Sequence, residues 1–321
     1  MSRKISEQKL RKILERQIPA RYGSRYVPSQ LATRDEAPSQ SRPARLRSRK
    51  FGRELHAMGQ PETYALLLAL YHPGVVEIHE QKMLSRWPIE HPLSGMPEID
   101  VTSLPSIEGT VAVAERLGCL DLHPVVNVTD KKHPGQKIQV AYPYIGDLLL
   151  FISGEHLYCI NWNIKDKNEA FERPSFSNRG KATERARRKA LFRPLLESEY
   201  YRDAGIRTQR VAAEHMDDCL CRNLSRIWTY SEMHLEIETG IQEELIHGFE
   251  IAIETQTPPL EVFLASEARG RCSTKNAQIV FHKAIWDRLL RVDMYHPILE
   301  DIPVHPEERD VLEQYAEWFA Q

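Results

Sequence analysis

The stretch D-L-L-L-F-I-S-G-E-H-L-Y-C-I-N-W-N-I-K, residues 147–165, decides how this chain is read. Asp147 opens an apolar run that ends at Ile152. A second run spans His156–Ile164, and Ser153-Gly154-Glu155 lies between them as a turn. Two runs of strand length joined by so short a turn predict an antiparallel hairpin. Alternation then puts Asn163 and Lys165 on one face of the second strand, with Ile164 opposite. An acid at the head of one strand is thereby brought toward an amide and an amine at the end of its partner.

Outward from the hairpin, P-E-T-Y-A-L-L-L-A-L-Y at residues 61–71 predicts a helix. Pro61 suits the first turn, where its missing N–H is harmless, and His72-Pro73-Gly74 ends the run. Glu62 then lies in the first turn. Val75–Leu84 alternates as a strand, with Val76, Ile78 and Glu80 on one side and Glu77, His79 and Gln81 on the other. Residues 85–125 read as irregular apart from a short helix near Val111–Leu117, and Val125–Val128 as a strand. Further on come a charged helix over 181–203, a strand at Ile206–Ala212 and a helix over 214–228. Strands interspersed with helices imply an α/β domain with a mixed sheet over residues 51–213.

Beyond residue 213 the texture changes. Helices are expected over 231–252, 259–268 and 273–290, the last amphipathic through Ile279, Ile285, Leu289 and Leu290. A strand is expected at Arg291–His296. A helix pair followed by a strand suits a winged-helix-like, α-rich domain over 214–321.

Charge is segregated although the net is only -2. Residues 1–53 hold fifteen Lys/Arg against four Asp/Glu. After a short helix at 5–17, the Pro-, Ser- and Arg-rich remainder of residues 1–50 reads as an extended basic arm. A second basic run spans Arg179–Arg193, and the segment from Asp293 onward is acidic. A basic arm on a near-neutral chain points to a polyanion, because phosphate contacts supply most sequence-independent DNA affinity. No stretch approaches the ~20 apolar residues of a membrane span, and no apolar run follows the basic N-terminus as in a signal peptide. Cys119, Cys159, Cys219, Cys221 and Cys272 form an odd, scattered set, which suits a reducing compartment better than a disulfide framework. Cys219-x-Cys221 has no second pair nearby to complete a zinc site, and buried helix thiols are the plainer reading. The expected location is the bacterial cytoplasm, in association with the nucleoid.

Hydrolysis of a phosphodiester draws on a divalent cation that neutralises phosphate charge. Magnesium takes hard oxygen ligands, usually one or two carboxylates with waters and substrate oxygens. One nuclease solution sets an acid on a helix, an Asp at the head of a strand, and an acid or amide two residues before a Lys on the paired strand. Glu62, Asp147 and Asn163-Ile164-Lys165 repeat that order, and the Ile164 carbonyl is placed to complete a metal shell. Singly, each residue has an ordinary role: Glu62 as a helix-dipole acid, Asp147 as a strand-edge acid, Lys165 as a solvent-facing base. Jointly they imply a restriction-endonuclease-like core around Glu62, Asp147 and Lys165, served by Mg²⁺ with Mn²⁺ as a substitute.

The chain resembles TnsA, the endonuclease subunit of heteromeric (Tn-seven-type) transposases. The likeness runs through R-Y-V-P-S-Q-L (25–31), S-R-K-F-G-R-E-L-H-A-M-G-Q-P-E-T-Y-A-L-L-L-A-L (48–70) and V-V-E-I-H-E-Q (75–81). It resumes at I-G-D-L-L-L-F (145–151), C-I-N-W-N-I-K (159–165) and E-S-E-Y-Y-R-D-A-G-I-R (197–207). The step from Asp147 to Asn163 matches the family's spacing. The resemblance covers most of residues 25–228 and is weaker from 229 onward. It implies a subunit that cleaves the 5′ strands at transposon ends. A DDE-type transposase then acts on the 3′ ends, and an AAA+ ATPase regulator contacts the C-terminal part. It also implies Glu62 and Asp147 as metal ligands and Lys165 as the catalytic lysine. Asn163 stands at the metal-facing Gln/Glu position, and Glu197 is implied as a second-metal or supporting acid. Two positions depart from the family: Asn163 is shorter than the usual Gln or Glu and would act through water, and His79 replaces an Arg. A stand-alone restriction or repair endonuclease would use the same core. A non-catalytic DNA-binding regulator would instead use the basic arm and Lys275, His282, Lys283 and Arg288 of the 273–290 helix.

Overall fold

A computed structural model describes residues 5–39, 41–97, 99, 103–130, 132–133, 135–172 and 184–321. The start of the basic run at Arg179 and of the expected 181–203 helix lies outside the described residues. The chain is mixed α/β and gathers into two compact units. One comprises Met1–Leu66, Gly74–Glu214 and Trp318–Gln321; the other comprises Leu67–Pro73 and His215–Glu317. The main division after Glu214 falls beside the expected position at 213.

In chain order the strands are β1 (Ala44–Ser48), β2 (Arg53–Ala57), β3 (Val75–Glu80), β4 (Met83–Leu84), β5 (Val125–Thr129), β6 (Lys137–Ala141), β7 (Tyr144–Ile145), β8 (Leu148–Ser153), β9 (Leu157–Lys165) and β10 (Arg207–Ala212). In the first unit α1 (Glu7–Gln17), the start of α2 (Gln60–Tyr71), α3 (Thr110–Arg116), α4 (Glu169–Glu172) and α5 (Glu184–Arg202) accompany them.

The central sheet has the order β10-β9-β8-β3. The β8–β9 hairpin is antiparallel with Ser153 opposite Leu157, as the turn tripeptide requires. β3 pairs antiparallel with β8, whereas β10 is parallel to β9, a pairing that needs the long crossover through α4 and α5. β8 reads L-L-L-F-I because both of its faces are covered: Leu148–Ile152 are all buried. α5 packs Leu196 and Tyr200 onto the face carrying Leu149, Phe151 and Cys159. On the opposite face Trp162 Nε1 donates to the Trp318 carbonyl (2.7 Å) and its ring stands 5.0 Å from that of Phe319. The last residues of the chain therefore belong to the first unit and not, as expected, to the C-terminal domain.

Simple alternation fails in β3. The register shifts between Val75 and Glu77, so Val76 turns outward while Glu77, Ile78, His79 and Glu80 are all buried. Val125–Val128 is a strand, but it pairs with β6 in a separate two-stranded sheet.

Residues 5–39 and 41–50 do not form an extended arm. After α1, Tyr26 is buried and its hydroxyl donates to the Glu80 carbonyl (2.8 Å), and Met83 N donates to Gln17 Oε1 (3.1 Å). β1 and β2 form a hairpin around Gly52, whose φ of +64° suits glycine. Internal pairing explains the ordering: Arg16 is held by Glu36 (2.7 Å), and Arg53, only 6% exposed, by the buried Glu80 (2.7 Å). A count of positive charge cannot distinguish cations buried with carboxylates from those left for solvent.

The second unit is helical: α6 (Asp218–Ser231), α7 (Thr239–Glu254), α8 (Pro259–Ala268), α9 (Thr274–Trp286) and α10 (Val311–Gln314), with α11 (Ala316–Phe319) leading back to the first unit. Phe249, Phe263 and Phe281 meet edge-on at 5.1–6.0 Å, and Trp286 receives Tyr71 and Trp228. The expected strand at Arg291–His296 is only a bridge between Val292 and Pro306. Asp293 Oδ1 accepts from Tyr295 N (2.8 Å), so the aspartate binds its own backbone and turns the chain. Of the basic groups expected to face a groove, His282 is buried against Glu300 and Arg288 is paired with Asp310 (2.5 Å). Among the described residues no helix is long and apolar enough to cross a membrane.

Candidate active site

Asp147 stands at the head of β8, where β7 and β8 meet. Its Oδ2 accepts from Ile164 N (2.7 Å), which staples the start of one strand to the end of its partner. Lys165 Nζ lies 3.8 Å from the same oxygen and donates to the Ile164 carbonyl (3.0 Å). The hairpin thus brings Asp147 and Lys165 together as the sequence predicts. The Ile164 carbonyl, an expected ligand, is engaged by an ammonium. That ammonium sits where the acid and carbonyl oxygens converge and balances the carboxylate charge.

Glu62 reaches the same place from the first turn of α2. Its Oε2 accepts from Met58 N (2.7 Å) and from Gln81 Nε2 (2.9 Å). Gln81 N in turn donates to the Asp147 carbonyl (2.8 Å). One glutamine therefore ties the helix acid to the strand acid. Gln81 does so with φ at +48°, a left-handed backbone that is unusual without glycine and tends to mark functional positions. The structure gives Gln81 a direct bond to the site, and Glu80 to Arg53 beneath it.

Electrostatics bind the group together. Burial and then the nearby Asp147 charge push the Glu62 carboxyl up to about 8, against the opposing pull of Lys165 and Arg193. The same two causes raise Glu197, on α5, to about 7. Glu197 is buried, and its oxygens accept one amide each: Asn161 Nδ2 on Oε1 and Asn163 Nδ2 on Oε2, both at 3.0 Å. Gly146 permits this approach, since a Cβ there would come 3.2 Å from Glu197 Oε1. Asn161 was missed in the sequence reading. Its only signal is parity, two residues before Asn163 and four before Lys165 on the same face. His79, where the resemblance leads one to expect an Arg, is stacked on Tyr26 (4.0 Å, 4°) and buried, a packing position.

The fit to a hard divalent cation can be judged from these contacts. With its amide nitrogen on Glu197, Asn163 leaves a buried Oδ1 that has no hydrogen-bond partner among the described residues. Two carboxylates that repel one another in a buried setting, beside an orphaned amide oxygen, are an oxygen-rich donor set of the kind magnesium accepts. Among the described residues no group of three His, Cys, Asp or Glu side chains could hold an ion. The set here relies instead on two acids, an amide and a carbonyl.

No protein-family model and no curated protein matches this chain.

Proposed function

We propose that this chain is a Mg²⁺-dependent DNA endonuclease, the TnsA-type subunit of a heteromeric transposase. In this reading it cuts the 5′ strands at transposon ends in the bacterial cytoplasm, alongside a DDE-type transposase and an AAA+ regulator. The mixed sheet serves as a restriction-endonuclease-like core. The helical second unit serves as a winged-helix-like partner-binding module, its wing reduced to the Val292–Pro306 bridge. The observation that carries the reading is the convergence of Glu62, Asp147 and Lys165, linked through Gln81 and Ile164.

Glu62, Asp147 and Asn163 Oδ1 would hold the cation, which supplies charge neutralisation at the phosphate when bound. Lys165 Nζ, freed from Asp147 and Ile164, orients the attacking water and stabilises charge developing on the phosphate. Glu197 keeps Asn163 turned toward the site. The burial of His282 and the pairing of Arg288 weigh against a DNA-binding regulator that reads a groove with α9.

The test is end-labelled transposon-end DNA incubated with the transposase partner, Mg²⁺ and each variant. Asp147→Ala and Lys165→Ala should each lower 5′-strand cutting by about 100-fold or more, with DNA binding kept near wild type. Wild-type cutting by either variant would defeat the proposal. Vigorous cutting of plain duplex without the partner would favour a restriction-type enzyme.

A further inference from the structure

Next to the Asp147–Lys165 pair lies a cleft of about 360 Å³, lined by Tyr144, Asn163, Lys165, Lys189 and Arg193 together with small apolar groups. Among its described lining residues three carry positive charge and none carries negative charge. The Tyr144 hydroxyl is buried and has no hydrogen-bond partner among the described residues, as is true of Asn163 Oδ1 on the same wall. Burial holds the Tyr144 phenol up at about 12 despite the nearby Arg193, so it keeps its proton and is a donor at neutral pH. Arg193 is anchored by Nη2 to the Ile145 carbonyl (2.9 Å), which fixes its guanidinium at the rim.

A buried donor is unfavourable to leave unmatched unless a ligand brings the acceptor. A buried hydroxyl donor beside the exposed cations Lys189 and Arg193, the latter anchored to Ile145, suits an anion. Because the cleft shares Asn163 and Lys165 with the candidate active site, the anion belongs to the same substrate. We propose that this cleft seats an internal backbone phosphate of DNA beside the scissile one, with the Tyr144 hydroxyl and the Lys189 ammonium as its donors and Arg193 at its rim. The proposal rests on the endonuclease reading and deepens it: Tyr144 and Lys189 hold the strand in register while Asp147 and Lys165 act on the neighbouring linkage. Such contacts position a duplex without reading its sequence.

The test is fluorescence anisotropy of the full chain with transposon-end duplex DNA in EDTA, over a range of salt, with and without a 5′-terminal phosphate. Tyr144→Phe and Lys189→Gln should each weaken binding about 3- to 10-fold on both duplexes. Lys189→Gln should also lower the slope of log affinity against log salt by about one. Tyr144→Phe should melt no lower than the wild type, since its buried hydroxyl has no partner among the described residues. Unchanged affinity and slope in both variants would overturn the proposal while leaving the Asp147→Ala cleavage test intact. An effect confined to the 5′-phosphorylated duplex would also overturn it, in favour of a terminal phosphate. A wild-type chain that ignores duplex DNA would remove this proposal and the endonuclease reading together.

Discussion

Glu62 and Asp147 bring like charge into one small volume, and the molecule answers with a proton, an ammonium and a ring of amides. Gln81 holds Glu62, the Ile164 N–H holds Asp147, and Asn161 and Asn163 hold Glu197. The sign of the resulting pH dependence follows from the raised Glu62 carboxyl. An acid whose folded pKa exceeds its unfolded value binds its proton more tightly when folded. Its contribution to stability is complete below about pH 4.5 and is lost as pH rises through about 8. A melting series without metal should therefore show wild type losing stability between about pH 5 and 8, with Glu62→Gln losing less; Mg²⁺ should narrow the gap. Parallel curves for the two proteins would contradict the raised carboxyl.

The element scale shows what was legible beforehand. The β8–β9 hairpin, α2 and the strand β10 could be read, because short runs with clear stops specify them locally, whereas the parallel pairing of β10 with β9 was not read. The Asp147–Lys165 approach followed directly, since hairpin register fixes which residues meet. Three further things could not be read. The β3 bulge depends on the neighbour's register, so alternation misplaced Val76. The link from Gln81 to Glu62 depends on a left-handed backbone at a non-glycine. The folding of the first fifty residues depends on distant carboxylates, Glu36 for Arg16 and Glu80 for Arg53. In the helical unit, α6 starts on a local signal: Asp217 Oδ1 accepts from Cys219 N (2.7 Å) and Leu220 N (3.0 Å). Asp217→Ala should lower stability by about 1 kcal/mol in chemical denaturation, and no change would show that other contacts start this helix.

Across the whole molecule, positive charge is handled in two ways. Arg16, Arg53, Arg226 and Arg288 are tied to carboxylates inside their own units, whereas Lys189 and Arg193 line a cleft with no acid among its described lining residues. The helical unit has its own buried polar node, in which Glu300 Oε1 accepts from Arg226 (2.5 Å), His282 (2.9 Å) and Gln278 (3.0 Å). Burial alone would raise Glu300, but the hydrogen bonds from Gln278, His282 and Arg226 outweigh it and hold the carboxyl at about 2. A depressed acid stabilises above its unfolded pKa. Glu300→Gln should thus be less stable than wild type at pH 7, and the gap should close as pH falls from about 4.5 toward 2; a gap constant with pH would contradict the node. That Glu62, Asp147 and Asn163 of the other unit form a seat for a divalent cation is our proposal. It is tested most directly by titrating Mn²⁺ into the purified chain and following the loss of the free-ion electron paramagnetic resonance signal. Saturable binding that Mg²⁺ displaces, and that Asp147→Ala removes, is the predicted result; Mn²⁺ binding unaffected by that substitution would contradict the account.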